Sequence, residues 1–140
     1  MRARSLFPCM RALAATVSGA QDLIVGSKNF TENRLLAEIV ARRIEAVTDL
    51  EVEHASSLGG TKLCWDGLQA GEIDLYVEYT GTAWAVLLKE PGRIADPFEA
   101  FLVVQRESKR RFDVDWLAPF GLNNTYALAL DRARAEELEE

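Results

Sequence analysis

The stretch "GEIDLYVEYTGT", residues 71–82, decides the fold. From Ile73 its side chains alternate: Ile73, Leu75, Val77 and Tyr79 fall on one face, Asp74, Tyr76 and Glu78 on the other. That is the period of a half-buried strand. It is entered from a glycine and left through Thr80-Gly81-Thr82, which reads as a turn. Tyr79 therefore ends the strand on its inner face, just where the chain becomes a loop. A tyrosine there is either a plug for the sheet edge or one wall of a binding site at the sheet's mouth. Packing is its ordinary role, since aromatic residues are common in strands.

Upstream, Leu23-Ile24-Val25 reads as a short buried strand ended by Gly26-Ser27. The loop Lys28-Asn29-Phe30-Thr31 leads into an amphipathic helix with Thr31 as N-cap and Glu32 in its first turn. Its apolar positions Leu36, Ile39, Val40, Ile44 and Val47 recur at helical spacing. Leu50 to His54 alternates as a second strand, and Thr61 to Gln69 reads as a helix stopped at Gly71. Downstream, Ala83 to Leu88 starts a helix broken by Pro91-Gly92. Pro97 opens a longer one to about Arg111, with Phe98, Phe101, Leu102 and Gln105 on one side. Asn124 to Leu130 reads as a strand, and the charged tail 131–140 begins a helix without a face to bury. Strands alternating with helices predict an α/β fold with a mostly parallel sheet. Ligands of such sheets sit beyond the carboxyl ends of the strands, here in loops 26–31, 56–61 and 79–83.

The 140 residues are 49% hydrophobic and 27% charged, a globular mix large enough for one domain or one lobe. A net charge of −6 argues against a nucleic-acid binder, which needs a basic face. No stretch approaches the roughly 20 apolar residues of a membrane span. Residues 1–20 carry three arginines, no acid, a short apolar run and the small residues Ser18-Gly19-Ala20. They read as a short signal peptide or a misassigned N-terminal extension. Cys9 lies in that segment and Cys64 would be buried, so no disulfide framework or metal motif is expected.

Reactive sets are hard to assemble. His54 is the single histidine and reads as a surface or packing residue, with no nucleophile evident beside it. Asp74 and Glu78 share the outward face of one strand, where carboxylates are usually solvated. Gly59-Gly60-Thr61 fits a tight turn better than a phosphate loop. What remains is polar and aromatic: Tyr79 and Thr82 around a glycine, Asn123-Asn124-Thr125-Tyr126 before a strand, and Lys28 in a loop. Such a set suits binding rather than catalysis, and neither an enzymatic activity nor a cofactor is expected.

The segments "VGSKNFTENRLLAEIVARRIEA", "LGGTKLCWDGLQAGEIDLYVEYTGTAW" and "WLAPFGLNNTYALAL" resemble, in order, signature segments of osmoprotectant substrate-binding proteins. These serve ABC importers of glycine betaine, choline, carnitine and related quaternary amines. The resemblance runs from about Leu23 to Leu130. It implies a type II periplasmic-binding-protein fold of two α/β lobes, a membrane permease as partner, and a periplasmic or cell-envelope exterior location. It also implies that Tyr79 and Tyr126 are walls of an aromatic cage around a trimethylammonium group. Thr82 and Asn124 would be polar contacts, and Lys28 would meet the ligand's polar end. A quaternary ammonium has no N–H to donate, so aromatic faces rather than carboxylates hold it, by up to ~2 kcal/mol per desolvated contact. Trp65 and Trp84 fit helix packing.

Members of that family are about twice this length. The expected division is a leader over 1–20, a partial first lobe over 21–122, and a crossover strand with the start of a second lobe over 123–140. The rest of the second lobe and its cage tyrosines are then missing. A remnant, or half of a split receptor or ligand-sensing module that needs a second chain, are the alternatives to a truncated solute-binding component.

Overall fold

The computed structural model describes residues 23–124, 129 and 131–139. Three parallel strands form the sheet: β1 (Leu23–Gly26), β2 (Val52–Ala55) and β3 (Leu75–Tyr76), in the order β2-β1-β3. Val25 pairs with His54 on one side and Leu75 on the other, and Gly26 with Ala55 and Tyr76. Parallel neighbours need crossovers, and helices supply them: α1 (Thr31–Val47) between β1 and β2, α2 (Thr61–Ala70) between β2 and β3. Then follow the short α3 (Thr80–Thr82), which runs on as a π-helical turn over Ala83–Leu87, α4 (Pro97–Phe112) and α5 (Arg132–Glu139).

Two apolar clusters cover the two faces of the sheet. Val25, Ala37 and Ala41 form one, with Leu23, Val40, Ile44, Val52 and Leu75 around them. Trp65, Ala83, Leu87, Leu88 and Val104 form the other, joined by Tyr76, Trp84 and Phe112. Leu75 and Tyr76 are adjacent yet pack into different clusters, as alternation across a sheet requires. Trp65 meets Phe112 edge-on, with centroids 5.1 Å apart at 88°. Cys64 is buried and free, as expected, and burial pushes its thiol up.

The structure alters several expectations. Ladder pairing in the third strand covers only Leu75–Tyr76, although the alternation continues around it: Ile73 and Val77 are buried and Asp74 is exposed. Thr80-Gly81-Thr82 is no turn but the first turn of a helix, with the Ala83 N–H donating to Tyr79 O at 2.9 Å. The N-cap of α1 is Phe30 and not Thr31. That helix packs through Asn33, Ala37 and Ala41, whose small side chains let it lie close on the strands, while Ile39 and Val47 are exposed. Leu36, Ile39, Val40 and Ile44 instead line a groove of about 400 Å³ with Phe120 and Leu122. On α4 the buried positions are Val104 and Ser108, and Phe98 and Leu102 face solvent. Its start is as expected from the sequence, with Asp96 accepting from the Glu99 N–H at 2.7 Å ahead of Pro97. Gly71, with φ 72°, ends α2. The strand expected over 124–130 falls largely on residues outside the described ones.

Candidate functional site

The parallel register sets the site. Gly26 stands opposite Tyr76, so the chain leaves β1 and β3 at the same edge, and two residues further on Lys28 and Glu78 face each other. Lys28 Nζ lies 2.6 Å from Glu78 Oε1, and each side chain is only 4% exposed. The Tyr79 N–H donates to the same oxygen at 2.8 Å, and Lys28 Nζ stands 5.3 Å from the Tyr79 ring centroid. The Thr61 hydroxyl, at the start of α2, is 3.5 Å from Lys28 Nζ.

Asn33 fixes the frame around this group. Its Oδ1 accepts from the Lys28 N–H at 2.7 Å and its Nδ2 donates to Val77 O at 2.8 Å, which joins the β1 loop to the end of the third strand from inside the protein. The β1 and β2 loops are joined as well, the Asn29 N–H donating to Gly59 O and the Leu58 N–H to Ser27 O. All three loops expected to carry ligands are thus clamped at one edge of the sheet.

Three polar atoms in this region are buried without a hydrogen bond among the described residues: Glu78 Oε2, Tyr76 Oη and Tyr79 Oη. Burial raises the Tyr76 hydroxyl far above its ordinary range, and the Glu78 charge adds to it. Burial also raises Tyr79, with Asn124 opposing and Glu32 and Glu78 reinforcing the shift. Asn124 Nδ2 donates to Glu32 Oε2 at 2.9 Å, so the chain after Phe120 returns to the first turn of α1. Unfilled buried hydrogen-bonding capacity is costly unless something completes it.

Of the residues singled out from sequence, Lys28, Tyr79 and Asn124 are brought to one region. Thr82 is half-buried on the helical turn that follows Tyr79. Tyr126 lies outside the described residues. Lys28 is no free loop cation, and Glu78 is not on a solvated face; each holds the other. Sequence reasoning missed Glu78, Asn33, Thr61 and Glu32. Glu78 was within reach, because parallel β1 and β3 place residues the same distance beyond their ends side by side.

His54 also has more partners than expected. Its Nδ1 is 2.9 Å from Glu38 Oε2 and its Nε2 2.9 Å from Ser27 Oγ. This serine–histidine–carboxylate chain was not seen in the sequence. Ser27 is fully buried, which makes the chain a tie between β1, β2 and α1. Trp84 donates to Pro91 O at 3.2 Å and packs at the cluster's edge, as expected. No group of side chains suited to a metal is present among the described residues, and no helix among them is long and apolar enough to cross a membrane.

Comparison with known proteins gives this edge its context. Residues 21–140 match the OpuAC model, the substrate binding domain of ABC-type glycine betaine transport systems. A Helicobacter pylori ergothioneine transport permease/ergothioneine binding protein, EgtU, is 34% identical over 82% of this chain and 20% of its own length. A Pseudomonas aeruginosa glycine-betaine-binding protein is 32% identical over 93% of this chain and 40% of its own. The structure of apo YehZ from Escherichia coli superposes with a TM-score of 0.69 at 30% identity, covering 76% of this chain and 38% of that one. The chain thus spans less than half the length of each of these relatives. Since the family model matches nearly all of it, from before β1 to its last residue, the chain belongs to the OpuAC family of ABC-transporter substrate-binding domains.

Proposed function

We propose that this chain forms one lobe of the solute-binding component of an ABC importer for quaternary ammonium osmoprotectants of the glycine betaine, choline or carnitine class. The observation that carries the reading is the meeting of Tyr79, Lys28 and Asn124 at the carboxyl edge of a parallel sheet, in a chain of this family. The Tyr79 ring offers a π face to a cation that cannot be held by hydrogen bonds. Thr82, Asn124 and Tyr126 are assigned as its companions, and Lys28 as the partner of a ligand carboxylate. The lobe passes its ligand to a membrane permease and works in the periplasm or at the cell-envelope exterior.

One aromatic wall among the described residues encloses little of a trimethylammonium group, so affinity of the chain alone is weak. Titration of the folded chain with glycine betaine, choline and carnitine, followed by NMR shifts, reads it. Tyr79→Phe keeps the ring and most of the affinity. Tyr79→Ala loses about 1–2 kcal/mol, a factor of roughly ten. A folded chain that responds to none of the three ligands at millimolar concentration sinks the reading.

A further inference from the structure

We infer that Glu78 is a positioning residue that sets the charge class of the ligand, by holding the Lys28 ammonium against the Tyr79 ring and cancelling its charge there. The inference rests on the quaternary-ammonium reading of this site.

A cation beside an aromatic wall is itself a competitor for any cationic ligand. Lys28 Nζ already stands 5.3 Å from the Tyr79 centroid, in the range where the ring attracts an ammonium. Unpaired, it would repel a second positive charge brought to the same ring. Glu78 answers this directly, with Oε1 2.6 Å from Nζ and both side chains 4% exposed, where screening by water is slight. The same oxygen takes the Tyr79 N–H, so one carboxylate oxygen fixes both the cation and the backbone of the aromatic wall. The pair carries no net charge of its own. A choline-like cation is then tolerated, and a betaine's carboxylate meets a lysine whose charge is already partly spent.

The second carboxylate oxygen, Oε2, and the neighbouring Tyr76 hydroxyl are buried and carry no hydrogen bond among the described residues. Glu78 is therefore not consumed by packing alone. Its Oε1 alone meets the lysine, which also reaches Thr61.

The test is the ratio of choline to glycine betaine affinity in the folded chain, read by NMR titration. Glu78→Gln keeps the shape and removes the charge. It is expected to shift the ratio toward glycine betaine by roughly tenfold, the size of one charge-assisted contact. A purely structural glutamate would lower both affinities together and leave the ratio alone; that result overturns the inference. Should Glu78→Gln not fold, the double variant Lys28→Met, Glu78→Gln removes both charges and leaves no buried ion. Its ratio is expected to shift toward choline, because the lysine that meets a betaine's carboxylate is gone while the net charge is unchanged, and an unchanged ratio or a shift toward glycine betaine overturns the inference. Binding of neither ligand by the folded parent removes the functional reading, and this inference with it.

Discussion

At the scale of single residues the decisive fact is a buried ion pair rather than a free ligand-binding lysine. Removing one member of such a pair strands the other without water or a counter-charge, at a typical cost of about 3–5 kcal/mol. Removing both is far milder, because no desolvated charge is then left without a partner. Lys28→Met is therefore expected to destabilise the chain by about 3 kcal/mol. The double variant with Glu78→Gln should recover more than half of that loss in denaturant unfolding. Equal losses in the single and double variants would mean that the two groups do not depend on each other. The sequence made both residues visible and gave both the wrong company. Lys28 read as a loop lysine because its neighbours are polar. Glu78 read as solvated because strict alternation puts it opposite the core. A parallel strand is covered on both faces, so "outward" in the pattern meant the second cluster and not water.

At the scale of elements, helices were legible where their ends carry local chemistry and misread where only faces mattered. Asp96 caps through its side chain, Pro97 and Gly71 act through their own backbones, and both ends lie close to where the sequence put them. The buried faces of α1 and α4 depend on what packs against them. On α1, Ala37 and Ala41 are covered because they are small enough for close approach, which hydrophobicity alone does not reveal. On α4, Glu107 gathers charge where no apolar pattern points. Its Oε2 accepts from Arg110 Nη2 at 2.6 Å and from Arg111 Nε at 3.1 Å. Arg111 in turn donates to Leu88 O and pairs with Glu90, tying the helix to the end of the π-helical turn. The arginines, Arg110 first, draw the Glu107 carboxyl from 4.5 down to about 2. A depressed carboxyl stabilises the fold fully above its unfolded value and loses that contribution as protons return. The contribution of Glu107 is therefore complete above pH 4.5 and lost as pH falls toward 2. In thermal melts across that window, Glu107→Gln should lose Tm less steeply than the parent. Parallel slopes would show that the cluster does not couple to folding. Above pH 5 the variant should be the less stable of the two.

At the scale of the whole molecule, the sheet divides the protein into two packed halves with few shared side chains. One half is β1, α1 and β2 around Val25, Ala37 and Ala41; the other is α2, the helical stretch after Tyr79 and α4 around Trp65 and Val104. They meet at the third strand, where Leu75 belongs to the first and Tyr76 to the second. The candidate site lies on that seam, since Lys28 and Asn33 come from the first half and Glu78, Tyr79 and Thr61 from the second. The parallel direction of the strands was readable from their alternation with helices. The seam was not, because it exists only once the register of β1 against β3 is known. Packing that is strong within halves and thin between them predicts separable cooperative units. Val104 is fully buried, and Val104→Ala should cost about 2 kcal/mol, with little effect on the opposite face. Native-state hydrogen exchange is the measurement. Amides of α2 and α4 should exchange faster in the variant, while those of β1, α1 and β2 keep their protection. Uniform acceleration across both halves would mean that the sheet transmits the damage and that the molecule opens as one unit. The Asn33 bridge sharpens the comparison: its Nδ2–Val77 O bond spans the seam, so the Lys28 amide, which donates to Asn33 Oδ1, should report whether the site opens with the weakened half or stays with the intact one.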